Sequence, residues 1–143
     1  MDNFIKIKEI DNVNNDYCHG ENSHVKIYDY KVNFEKHILI GKVYFTKYSA
    51  NHVGTCHGGA ICAVIDDVVG WLGYCSGNKC NVGSGFTAQI NTTLKKPVKL
   101  GSTLNIIGII DKIDGRKVWV KCSLEDETNS IFCTGKGLFI KNN

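Results

Sequence analysis

The stretch Asn51–Asp67, NHVGTCHGGAICAVIDD, holds the densest set of groups able to do chemistry. His57 is followed by two glycines, small and apolar residues, and then an acidic pair, Asp66 and Asp67. A carboxylate of suitable pKa can take a proton from water. A helix starting at Gly58 offers unpaired N–H groups and a partial positive charge. Glycines at 58 and 59 let a carbonyl come close to those donors. Donors aimed at developing negative charge typically remove about 2.7–4 kcal/mol of barrier.

These groups need a helix to hold them. The apolar pattern continues after Asp67 to Tyr74, so residues 58 to about 75 read as one helix. It is apolar on nearly every side, which belongs inside a domain. At about 18 residues it approaches membrane-spanning length, but its central carboxylates and strand-rich flanks favour a wrapped core helix. A carboxylate there is costly unless it has partners or a job. The helical neighbours of Asp66 are Gly59, Cys62, Ala63, Val69, Gly70 and Gly73, nearly all small. Gly70 and Gly73 each cost a helix about 1 kcal/mol relative to Ala, which points to a close approach by a backbone, a second subunit or a ligand. A purely structural, hydrogen-bonded Asp66 under a tightly packed strand is the competing reading.

The rest of the chain supplies strands. Val25–Val32 and Ile38–Thr46 flank a polar turn, and a loop, Lys47–Cys56, leads into the helix. Ser76–Gly85 reads as a Gly, Asn and Ser loop. Strands follow at Phe86–Leu94, Thr103–Ile113, Arg116–Asp126 and Ser130–Lys141. Asp114-Gly115 is a hairpin signal, and Pro97 breaks the preceding ladder. Alternation places Phe86, Ala88, Ile90 and Leu94 on one face, and Thr87, Gln89, Asn91 and Thr93 on the other. The sum is an α+β fold, an antiparallel sheet curled around one long helix. Residues 1–24 are a polar lead-in of open role, and residues 25–143 are the domain.

Composition narrows the function. The 143 residues carry 43% hydrophobic and 22% charged residues, an ordinary globular balance. A net charge of +3 is too small to argue for nucleic acid. Seven cysteines, an odd count, suit reduced thiols better than a full disulfide set. No Cys-x-x-Cys pair occurs, so no metal is expected; Cys18, His19 and His24 are the nearest candidates. The first residues carry no long apolar run and no transit-peptide character, which favours a cytoplasmic protein without a membrane span.

The pattern Asn-x-x-Gly-Thr-x-His-Gly-Gly, with Asp seven residues after the second Gly, resembles the hotdog-fold acyl-CoA thioesterases of the PaaI-like branch. It is carried by Asn51, Gly54, Thr55, His57, Gly58, Gly59 and Asp66, and continues through Thr87–Asn91, Lys96-Pro97 and Asp111–Lys117. The resemblance implies hydrolysis of an acyl-CoA to a free acid and CoA, with no cofactor beyond the CoA of the substrate. It implies Asp66 as general base or nucleophile, the Gly58 N–H as oxyanion donor, and His57 as placing the thioester. It further implies that Asn51 holds water or substrate, that Thr87 assists Asp66, and that homodimers or dimers of dimers share sites between subunits. Gly59 and the basic residues Lys95, Lys96, Lys99, Arg116 and Lys117 are candidates to meet CoA; the basic ones read equally well as solvated turn residues.

Geometry adds one argument of its own. Gly58 and Asp66 lie about 12 Å apart along a straight helix, too far for one thioester carbonyl to use both. Two antiparallel helices side by side solve this, with Gly70 and Gly73 allowing close approach. Competing readings are an acyl-CoA-binding sensor without turnover, a hydratase on the same fold, a Cys56–His57 nucleophile pair, and His57 as a mere helix cap.

Overall fold

The computed structural model describes residues 3–10 and 16–143. Its strands are β1 (Ile5–Lys6), β2 (Val25–Asn33), β3 (Ile38–Phe45), β4 (Gly85–Leu94), β5 (Thr103–Asp114), β6 (Lys117–Glu125) and β7 (Ile131–Lys141). One helix, α1 (Gly58–Tyr74), follows β3 through a short 3-10 turn at Lys47–Ser49. All seven strands form one antiparallel sheet in the order β1-β2-β3-β5-β6-β7-β4. The sheet wraps α1, as the sequence patterns require. No helix among the described residues is long and apolar enough to cross a membrane.

Alternation explains which side of each strand faces the helix. On β6, Val118, Val120, Cys122 and Leu124 are buried and the residues between them are more exposed. Against them lie Val64, Ile65, Val68, Val69 and Leu72 of α1, all fully buried. Each such side chain contributes roughly 1.5–3 kcal/mol by leaving water. The close fit depends on strand glycines: a Cβ at Gly108 would stand 2.7 Å from Val68, and one at Gly135 2.5 Å from Ile65. The β5–β6 hairpin turns at Asp114-Gly115 as its sequence predicts, with Gly115 at φ 59°.

The segment before Val25 contributes to the sheet and the core. Ile5 and Lys6 pair with β2, and Ile7 and Cys18 are buried. The cysteines depart in part from the fully reduced expectation. Cys75 caps α1, the chain folds back so that Asn81 N–H reaches the Tyr74 carbonyl at 2.9 Å, and Cys75 bonds to Cys80. Cys18, Cys56, Cys62, Cys122 and Cys133 are free, and all but Cys62 are buried.

Candidate active site

The loop before α1 is built on Asn51. Its carboxamide oxygen accepts the N–H groups of Val53 and Thr55, each at 3.0 Å, and its amide donates to the Thr55 hydroxyl at 2.8 Å. Gly54 takes φ 87° within this turn, a conformation that suits glycine. The turn delivers His57 to the N-cap of α1, where Nδ1 accepts the Gly59 N–H at 2.8 Å. The imidazole is therefore a helix cap, and it is exposed. Among the described residues the Gly58 N–H donates to no group. Leu94, at the end of β4, overhangs Gly58 at 3.4 Å from where a Cβ would be.

Two turns further on, α1 shows its two carboxylates on different sides. Asp66 is exposed in the single chain, which corrects the expectation of a buried carboxylate. It shares its open face with Gly59, Cys62, Ala63 and Gly70, all at least partly accessible. Gly73 leaves this set. A Cβ there would stand 2.1 Å from the Phe139 ring, so its smallness serves packing inside the chain rather than a neighbouring helix. Thr87 stands over Gly70, its hydroxyl 3.6 Å from where a Cβ would be. Simple alternation puts Thr87 on the outer face, but the β4–β7 register shifts between Thr87 and Gln89 and turns it toward the helix.

Asp67 is the buried carboxylate. Its Oδ2 accepts the Tyr30 hydroxyl at 2.7 Å and the Nε2–H of His19 at 2.7 Å. The side chains of His19 and Asp67 are only 2% and 13% exposed. Burial opposes a charge on His19, but the hydrogen bond and charge of Asp67 outweigh it and hold the imidazole above its ordinary 6.5. Burial pushes the Asp67 carboxyl up, against the hydrogen bond and charge of His19 and the bond from Tyr30. His19 thus joins Asp67 rather than the Cys18 and His24 suggested by sequence. Asp16, His19 and Asp67 bring ligand-type atoms within 4.8 Å of one another, but Asp16 caps the N–H groups of Cys18 and His19 and Asp67 holds two hydrogen bonds.

The other candidates divide between the ends of the sheet. Lys95 and Lys96 follow β4 at the start of α1, and their N–H groups reach the Phe132 carbonyl. The Lys96 ammonium bonds the Ser130 hydroxyl and lies 5.3 Å from the Phe132 ring centre. Lys99 pairs with Thr55 beside the same helix end. Arg116 and Lys117 sit on the β5–β6 hairpin, at the end where Gly85 pairs with Lys141. Arg116 Nε–H donates to the Lys141 carbonyl at 2.8 Å, and Lys117 lies 5.9 Å from the Trp119 ring centre. One chain therefore does not gather the five cations. Cys56 is no partner for His57 chemistry: its Sγ lies 3.6 Å from the His57 carbonyl, and burial pushes its thiol up.

A single chain presents three separate pieces: donors at the start of α1, a carboxylate two turns on beside Thr87, and β4 as an open ten-residue edge. Phe86, Ile90 and Leu94 are exposed along that edge. An edge of this kind pairs readily with another strand.

Known proteins share this plan. The family model described as the thioesterase superfamily matches residues 53–133. The acyl-coenzyme A thioesterase THEM4 of Bos taurus is 36% identical over 89 residues, covering 62% of this chain and 34% of its own length. Its counterpart in Mus musculus is 34% identical over 91 residues, covering 62% and 36%. The chain thus spans about a third of the length of these curated relatives. A Streptococcus mutans protein solved bound to acetyl CoA aligns with TM-score 0.71 at 22% identity, over 90% of this chain and 98% of that one. The PaaI protein of Escherichia coli aligns with TM-score 0.67 at 12% identity, over 83% and 80%.

Proposed function

The chain belongs to the thioesterase superfamily, and from that premise we propose that it hydrolyses an acyl-CoA to a carboxylic acid and CoA. The observation that carries the reading is Asp66, exposed on the small-residue face of α1. Asp66 takes a proton from water, and the resulting hydroxide attacks the thioester carbonyl. The tetrahedral oxyanion is held by the Gly58 N–H, which has no partner among the described residues. The C–S bond then breaks, the CoA thiolate takes a proton, and the acid leaves. Thr87, turned toward Gly70 one helical turn from Asp66, steadies the carboxylate or its water. His57 and Asn51 shape the loop that presents Gly58.

The site needs two chains. Pairing β4 of two protomers antiparallel runs their helices in opposite directions and sets the Gly58 end of one beside Asp66 of the other. It also brings the Arg116–Lys117 end of one protomer to the Lys95–Lys96 end of the other. There these residues and Gly59 meet the phosphates of CoA as charge-assisted contacts. The homologous thioesterases and the acetyl CoA-bound neighbour support this substrate class.

The test is thiol release from short, medium, long and aromatic acyl-CoAs by wild type and Asp66→Asn. Turnover by wild type, lost in a folded Asp66→Asn protein, is the expected result. Binding of acyl-CoA without thiol release across the panel would turn the assignment to an acyl-CoA sensor.

A further inference from the structure

We propose that His19 and Tyr30 are positioning residues for the hydrolysis. Through Asp67 they fix the rotation of α1 about its axis, and so the place of Asp66. The inference rests on reading Asp66 as the base.

The contacts that support it fall on three successive turns of one flank of the helix. In the middle turn, Asp67 Oδ2 accepts Tyr30 and His19 at 2.7 Å each. One turn earlier, Cys18 Sγ–H donates to the Ala63 carbonyl at 3.7 Å. One turn later, the His19 ring meets Trp71 edge-on, with centroids 6.4 Å apart. The sheet bears on α1 chiefly through β4, β7 and β6, and less through β2, the strand that carries Tyr30.

Both anchors are themselves fixed. Asp16 Oδ1 accepts the N–H groups of Cys18 and His19 at 2.9 and 3.1 Å, and the Cys18 carbonyl accepts the Ile27 N–H at 2.8 Å. Tyr30 is 1% exposed, and its ring fills the space that a side chain at Gly41 would need, 2.5 Å from the Cβ position.

The lever is short. A carboxylate about 6 Å from the helix axis moves about 1 Å when the helix turns about 10°. A displacement of about 1 Å can cost about a hundredfold in rate. Apolar side chains of similar volume would often stabilise this flank as well or better. What directional hydrogen bonds add is a defined angle.

The experiment measures kcat and KM on the full chain with its best acyl-CoA, well below each variant's unfolding temperature. His19→Ala is expected to lower kcat about tenfold with KM unchanged. His19→Gln, whose Nε2–H can still reach Asp67, should recover most of it. Tyr30→Phe keeps the ring in its seat and should lower kcat severalfold. The double variant His19→Ala/Asp67→Ala should be no slower than the slower single variant, because both act through one contact. Folded His19→Ala and Tyr30→Phe proteins with wild-type kcat would overturn the proposal. Asp66→Asn is run beside them. If it is inactive while His19→Ala turns over normally, only the positioning role falls; if it is active, the base assignment falls and this inference with it.

Discussion

Asp66 and Asp67 are neighbours in sequence, about 100° apart around one helix, and they stand in opposite surroundings. Asp66 is exposed on the helix face that carries Gly59, Cys62, Ala63 and Gly70. Asp67 is enclosed and hydrogen-bonded by His19 and Tyr30. Desolvating a carboxylate costs several kcal/mol and is tolerated when partners replace the water. Asp67 has those partners inside the chain. Asp66 has none among the described residues and stands open to a substrate or a second protomer. One helix therefore carries an enclosed carboxylate and an exposed one, the second being the proposed base, about 100° apart around its axis.

Substitutions can break this contrast. The largest effect is expected at the enclosed side: Asp67→Ala strands a buried imidazole and a buried phenol and should cost about 3–5 kcal/mol, read from urea unfolding. Asp66→Asn should leave that midpoint near wild type, because exposed sites usually change stability by less than about 0.5 kcal/mol. Its thiol-release kcat should fall about a hundredfold or more, equivalent to about 2.7 kcal/mol. A stability loss at Asp66 equal to that at Asp67 would erase the distinction.

The glycines give a finer test. Gly73→Ala drives a methyl into the Phe139 ring and should cost about 1–3 kcal/mol by overpacking. Gly70→Ala meets only ordinary contact with Thr87 and should raise the unfolding free energy by up to about 1 kcal/mol through helix propensity.

The smallest test is pH. His19 is held above its ordinary 6.5 in the fold, so the folded state binds its proton more tightly. Its contribution is complete below about pH 6.5 and declines as pH rises through the raised value. The stability advantage of wild type over His19→Gln should therefore be larger at about pH 6 than at about pH 9. An advantage that grows with pH would contradict the assignment.

Much of the fold was legible because it rests on local patterns. The apolar run from 58 to about 75, with carboxylates at its centre and strands on both sides, read as a core helix, and Asp114-Gly115 read as a hairpin turn between alternating strands. The spacing from His57 to Asp66 also carried the family. What stayed hidden depends on distant contacts. An apolar helix has no polar face to mark its open side, so Asp66 and Asp67 looked alike until His19 and Tyr30 were seen to claim one of them. Thr87 sat on the wrong face by simple alternation because a bulge cannot be counted from residue types. Cys75 and Cys80 read as two more small apolar residues. Only the fold-back of the loop, with Asn81 reaching Tyr74, brings them together.

The two margins of the sheet are unequal. At one, β1 offers two residues; at the other, β4 offers ten. A molecule with one long unpaired margin has a valence of one. Two such chains that meet through β4 use up that valence in both, and the short margins left outside give a third chain little to grip. Under the proposed β4 pairing, sheet growth along this edge would stop at two chains, because among the described residues the opposite margin offers a strand of only two residues.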